Sequence, residues 1–333
     1  MKRVIPFMIL LILSMVSCHK QADVQMKKSQ TKIVLRYAEN QPSSYPTTQA
    51  AFRFANLVND RTNGRITIII YPDAKLGDEK TVFEQMEFGA IDFARGSLSP
   101  LSELGPSLNI LQLPYLYRDA DHMWKVLDGP IGEQFLRSLE KKGLIGLSWY
   151  DAGSRSFYNS VRPITKLEDM KGMKIRVQES QLMSSLITSL GANPVQMPYG
   201  DVYASLQTGE VDAAENNWPS YEATKHYEVA KYYVTDEHNR VPEMQIVSAM
   251  TWNKLSDEDK AIIRECAKES SVIERELWAA KDKAARDAVI AKGTIVTQLA
   301  SGEREKILQA VSKLYTTYGK GYEDIINQIR TTK

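Results

Sequence analysis

Arg176 stands in the run Lys171-Gly172-Met173-Lys174-Ile175-Arg176-Val177-Gln178, where Ile175 and Val177 alternate with Lys174 and Arg176. A period of two after a loop punctuated by Gly172 is the pattern of a short strand. The alternation turns Arg176 away from the face that Ile175 and Val177 pack. Inside a two-sided α/β sheet its guanidinium is at least partly desolvated and needs an anion. Its planar fork of donors fits a carboxylate through two parallel hydrogen bonds. Two kinds of carboxylate meet that need, an internal Asp or Glu or a bound organic acid, and the strand alone leaves both open. A second segment, residues 211–219, sets Asn216 and Asn217 beside Trp218. Amides that both donate and accept, next to an indole, suit hydroxyl groups on a ring. Asn40 and Gln41 follow the first strand, at the end where α/β folds bind ligands, and either donate to a ligand or cap the next helix.

The elements that must position these residues follow from periodicity and punctuation. Strands are expected at 32–38, 65–71, 91–96, 144–150, 174–177, 243–252 and 295–299. Helices are expected at 47–62, from Glu79 to near Gly89, and at 121–141, 180–190, 199–208 and 219–227. Glu79 suits the first turn of its helix, where a negative charge complements the helix dipole. Arg95 ends a strand and reads either as a ligand contact or as one half of a surface ion pair. Ser256 caps a long helix over 257–292 with an apolar stripe through Ile263, Ala267, Ile273, Leu277, Ala280 and Ala284. Within it Asp282 and Arg286 have the spacing of an ion pair. Residues 303–329 form a closing helical region. The row Tyr233-Val234-Thr235-Asp236-Glu237-His238 contains metal-capable side chains, but strand alternation sends them to opposite faces, so it reads as a hinge crossing.

The 333 residues are enough for two ordinary domains. Lys2 and Arg3 precede an apolar run from Val4 to Val16, the form of a secretion signal too short to span a membrane comfortably. Ser17-Cys18 directly after it has the look of a bacterial lipobox, with Cys18 the expected lipid site, and 18–31 is a polar tether. With Cys18 lipidated, Cys266 has no partner for a disulfide. Lys plus Arg number 42 against 41 Asp plus Glu, so no basic excess points to nucleic acid. No phosphate loop, dinucleotide loop, nucleophile elbow or HExxH pattern is present, and His19, His122, His226 and His238 are far apart. Neither an enzyme, a cofactor nor a metal site is expected, and a monomer is.

The run KGMKIRVQES, followed by GANPVQMPYGDVYASLQTGEVDAAEN, resembles the extracytoplasmic solute-binding proteins of TRAP (tripartite ATP-independent periplasmic) transporters, from Ile33 to about Tyr315. The resemblance implies a two-lobed α/β fold like that of periplasmic binding proteins, with hinge crossovers and a long helix spanning both lobes. It implies lobe I over 32–152 plus 243–281 and lobe II over 153–242 plus 282–333. It assigns Arg176 to the ligand carboxylate and Arg155, in the second Arg motif Asp151–Asn159, to the same group. Tyr199 is where related proteins set an aromatic against the ligand, Glu79 often reaches it, and Arg95 lies on a strand beside the cleft. SRSFYN, the Asn pair before WPSY, and HYEVAKYY resemble the uronate and aldonate branch. The implied function is capture of an organic anion, such as D-glucuronate or D-galacturonate, for a TRAP membrane permease. A sensor subunit that passes the same signal to a receptor is the other role left open.

Overall fold

The computed structural model describes residues 32–333. The secretion signal, the tether and Cys18 lie outside the described residues. Two sheets divide the chain. The first has the order β2-β1-β3-β10-β4 and contains β1 (Ile33–Ala38), β2 (Ile66–Tyr71), β3 (Phe93–Ser97), β4 (Leu144–Tyr150) and, from far along the chain, β10 (Glu243–Ser248). The second has the order β11-β9-β5-β8-β6-β7, from β5 (Ser156–Asn159), β6 (Lys174–Val177), β7 (Asn193–Gln196), β8 (Ala213–Asn216), β9 (Tyr232–Val234) and β11 (Ile295–Thr297). Strands β1, β2 and β3 are parallel, as are β6, β7 and β8. β10 enters antiparallel between β3 and β4, and β5 antiparallel between β8 and β9. This is a two-lobed α/β architecture in which the chain leaves one sheet after β4 and returns as β10.

The first crossover turns at Gly153, whose φ of +60° favours glycine. A Cβ there would stand 3.0 Å from Trp278 Nε1, so the turn and the long helix exclude a larger residue together. The second crossover lies beside the first, because Arg155 N donates to Asn239 O at 2.7 Å.

Helix Asp257–Ala291 opens at Ser256, whose side chain accepts from Asp259 N. It packs on helix Pro46–Arg61 and β4 in the first lobe, then on helix Trp218–Ala223 in the second. Its buried face differs from the expected stripe beyond Ala267. Leu277, Ala280 and Ala284 face solvent, and Ser270, Ser271, Glu274, Trp278, Ala285 and Val289 are buried. Polar groups lie on the inner face where the helix passes the crossovers, and an apolar pattern cannot show that. Arg286 lies over the Trp218 ring at 6.0 Å instead of forming an ion pair with Asp282.

Three other expectations are corrected. The helix expected over 121–141 is two, Ala120–Leu127 and Pro130–Leu136, since Pro130 has no N–H to continue the first. β10 stops at Ser248, after which Ala249–Trp252 turn helical. The closing region breaks after Tyr318, and a new helix begins at Glu323, just beyond Gly321 with φ +83°. Helix Glu303–Tyr318 packs on Gln181–Ser189 of the second lobe. The last helix is tied to the first lobe, where Ile329 O meets His122 Nε2 at 2.8 Å and Arg330 O accepts from Arg118 at 3.2 Å. The C-terminal region is therefore shared between the lobes.

Candidate functional site

A cavity of about 520 Å³ lies between the lobes at the C-terminal ends of β1 and β6. The first lobe contributes Asn40, Gln41, Asp78 and Glu79 to its wall, and the second contributes Arg176, Gln178, Tyr199 and His226. Direct contacts cross the cleft. Gln178 Nε2 donates to Ser97 Oγ at 2.9 Å, Tyr199 OH donates to Gln41 Oε1 at 3.4 Å, and Tyr45 OH meets Ser220 Oγ at 2.8 Å.

Arg176 sits on β6 between β7 and β8, which buries it from both sides of the ladder. It is 2% exposed. Its Nε and Nη2 both donate to one backbone carbonyl, Met197 O, at 3.0 and 2.7 Å. Among the described residues no carboxylate lies within 4.0 Å of it. Burial lowers its pKa from the usual arginine range; Glu215 and Tyr158 oppose that shift and Arg155 adds to it. A buried cation held by one neutral carbonyl is the unusual feature of this wall, because such a charge ordinarily has an anion beside it.

Arg155 is also buried, but its fork is filled. Nε and Nη2 bond the Glu215 carboxylate, Nη2 also donates to Glu215 O at 2.8 Å, and Nη1 donates to Asn216 Oδ1 at 3.1 Å. Burial opposes ionisation of Glu215, yet Arg155 and the nearby His238, whose Nε2 stands 3.6 Å away, outweigh it and hold the carboxyl at about 2. His238 Nδ1 lies 2.8 Å from Asp236 Oδ2, and its ring stacks on Phe157 at 4.1 Å. The metal-capable row thus forms part of an ion cluster behind the cavity.

Asn216 accepts from Asn217 N at 2.9 Å as well as from Arg155. Asn217 caps the helix Trp218–Ala223 by accepting from Ser220 N at 2.7 Å, and it donates to Ala152 O at 2.9 Å. Trp218 stacks on Tyr233 with ring centroids 3.6 Å apart. Arg155, Asn216, Asn217 and Trp218 do not line the cavity; they build the frame behind it.

Arg95 is buried, not at the surface. Its guanidinium is shared by Glu39, Glu79 at 3.2 Å, Glu243 at 3.1 Å and Asn40. Burial raises the pKa of Glu243, Arg95 opposes the shift, and Glu79 and Glu39 add to it, leaving the carboxyl at about 8. Glu79 belongs to both settings: it lines the cavity, binds Arg95, and accepts from Ser97 N at 2.8 Å. The structure therefore brings Asn40, Gln41, Glu79, Tyr199 and Arg176 to the cavity, with Arg95 directly behind Glu79 and Asn40.

Sequence reasoning missed Gln178, Asp78 and His226 at the wall. Gln178 follows Arg176 by two, so strand alternation places both on one face and was a usable signal. Asp78 was visible only as the cap it also is, accepting from Thr81 N at 2.8 Å. His226 stands in a short turn after Lys225, with no period to betray it.

Comparison with known proteins is consistent with this geometry. The family described as bacterial extracellular solute-binding protein, family 7 (DctP), matches residues 37–321. A TRAP periplasmic solute-binding protein from Bradyrhizobium sp. BTAi1, solved in complex with D-galacturonate, superposes with a TM-score of 0.88 at 41% identity, covering 90% of this chain and 99% of that one. One from Pseudomonas putida F1 with bound D-glucuronate gives a TM-score of 0.88 at 35% identity, covering 90% and 98%. A solute-binding protein of Chromohalobacter salexigens is 40% identical over 258 residues, 78% of this chain and 77% of its own.

Proposed function

Because the chain belongs to the DctP family of TRAP-transporter solute-binding proteins, we propose that it captures a sugar acid, such as D-glucuronate or D-galacturonate, and hands it to the membrane permease. Proteins of this family bind small organic anions outside the cytoplasmic membrane, and the chain is not an enzyme. The observation that carries the ligand reading is Arg176, a buried guanidinium at the cavity wall with no carboxylate to pair with among the described residues. A ligand carboxylate completes its fork.

The rest of the wall argues for one carboxylate and several hydroxyls. Among the described residues Arg176 is the only Lys or Arg that lines the cavity, whereas Asp73, Asp78, Glu79, Glu179 and Asp201 are all acidic. A dicarboxylate would set its second charge among these acids, with no cation to receive it. Hydroxyls bond carboxylates and amides well, so Asn40, Gln41 and Glu79 suit the polyol part, and Tyr199 the ring. The volume falls within the ~300–1,000 Å³ usual for small-molecule sites. Arg155, Asn216, Asn217 and Trp218 serve by bracing β8. Lobe I (32–152 with 243–281) and lobe II (153–242 with 282–318) close about crossovers near 151–153 and 239–242, with the last helix seated on lobe I.

A melting assay against acids and neutral sugars tests this. A ligand at 100 times its Kd that binds only the native state adds about 2.7 kcal/mol. D-Glucuronate or D-galacturonate is expected to raise Tm, and glucose is not. An equal shift from glucose would remove the carboxylate clamp, and a shift from succinate alone would remove the sugar acid. The protein works as a monomer tethered through lipid at Cys18. A fatty-acid analogue fed to cells should label the wild type and spare Cys18→Ala; an unlabelled wild type refutes the tether.

A further inference from the structure

Resting on the sugar-acid reading, we propose that His226 is a second ligand-binding residue: its neutral imidazole, oriented by Tyr158, donates Nε2–H to an oxygen of the acid held by Arg176. The run HYEVAKYY begins with this residue, but the resemblance it carries gives the imidazole no role. The geometry does.

His226 is buried at the cavity wall with Arg176, Tyr199 and Tyr203. Its Nδ1 lies 2.7 Å from Tyr158 OH, and its Nε2 is buried with no partner among the described residues. The tautomer follows from counting donors. If Nδ1 carried the proton and donated to Tyr158, the Tyr158 O–H would be left without an acceptor behind the wall. If Tyr158 donates to Nδ1, the ring proton sits on Nε2, and the one unmet donor of the pair is on the residue that lines the cavity. Burial, with Arg176 adding to it, depresses the pKa to about 3, so the ring is neutral at neutral pH. Tyr158 is itself fixed, stacked on Tyr233 at 6.1 Å and tilted against Tyr221 at 4.8 Å. The arrangement supplies a hydrogen-bond donor without a second positive charge, which matches a ligand with a single carboxylate. Tyr158 acts through the ring, as a positioning residue.

Nitrogen-15 NMR of the imidazoles in the wild-type protein tests the tautomer and the contact together. His226 should show a protonated Nε2 and a bare Nδ1, and the Nε2 resonance should move on saturation with D-glucuronate. A proton on Nδ1, or an Nε2 signal indifferent to ligand, overturns the proposal. Calorimetric titration supplies the second arm. His226→Ala should weaken D-glucuronate binding about tenfold, the size of one hydrogen bond. His226→Gln, whose amide N–H reaches as far as Nε2, should recover part of that loss. Tyr158→Phe should bind more weakly and show a mixed tautomer. Wild-type binding that is lost in Arg176→Ala but kept in full by His226→Ala sinks this inference alone. D-Glucuronate that fails to bind the wild type, or binds Arg176→Ala equally well, sinks the sugar-acid reading beneath it.

Discussion

Arg155 and Arg176 make an instructive pair. Both are buried arginines in the second lobe, 3% and 2% exposed, and both read from the sequence as carboxylate ligands. Arg155 spends its fork on Glu215 and Asn216, inside a cluster completed by His238 and Asp236. Arg176 spends two donors on one carbonyl and turns to a cavity. Arg95, shared by three carboxylates in the other lobe, repeats the Arg155 pattern. Burial alone therefore does not mark a binding arginine. The identity of the partner does: an internal carboxylate makes the residue architecture, and its absence leaves room for a ligand.

The largest expected effect breaks the architectural side of the comparison. Arg155→Ala leaves Glu215 as a buried charge without its main partner, and denaturant unfolding should show a loss of about 3–5 kcal/mol in the ligand-free protein. Stability within about 1 kcal/mol of wild type would mean that Arg155, like Arg176, is held in reserve for ligand.

A smaller effect lies in pH. Burial works against a charged His238, but Asp236 and Glu215 outweigh it and raise its pKa to about 9, from about 6.5 in the unfolded chain. A pKa raised on folding gives stability that is complete below the unfolded value and lost as pH climbs through the folded one. Glu243, raised to about 8, acts with the same sign over a lower window. Unfolding free energy should fall from about pH 6.5 to pH 9, and His238→Gln should flatten part of that slope. A rise over this range would contradict the cluster.

The same contrast explains how much could be read from the sequence. Strands β1, β2, β4 and β6 and the Ser256 cap follow from local pattern, since alternation and capping chemistry are properties of a few adjacent residues. Arg176 was legible as a buried cation, but its lack of a partner is a fact about every carboxylate in the fold. Asn217 looked like a hydroxyl contact because an amide in sequence does not reveal that a helix N-terminus and Ala152 O already satisfy it. Arg95 looked peripheral because Glu39, Glu79 and Glu243 reach it from three distant segments. The outer half of the long helix was misread for a related reason: Glu274 is buried by its bond to Asp151 N, 2.8 Å away across the crossover, and not by hydrophobicity.

The central claim rests on Arg176, and titration calorimetry of Arg176→Ala beside denaturant unfolding of the empty proteins tests it most directly. The empty variant should be as stable as wild type or slightly more so, since a buried cation without an anion has been removed. Its affinity for D-glucuronate should drop by about 100-fold or more, the loss of a charge-assisted bidentate contact. Arg176→Lys, which keeps the charge and loses the fork, should recover only part of the binding. A variant that binds as tightly as wild type yet unfolds several kcal/mol earlier would contradict the account and make Arg176 a structural residue like Arg155.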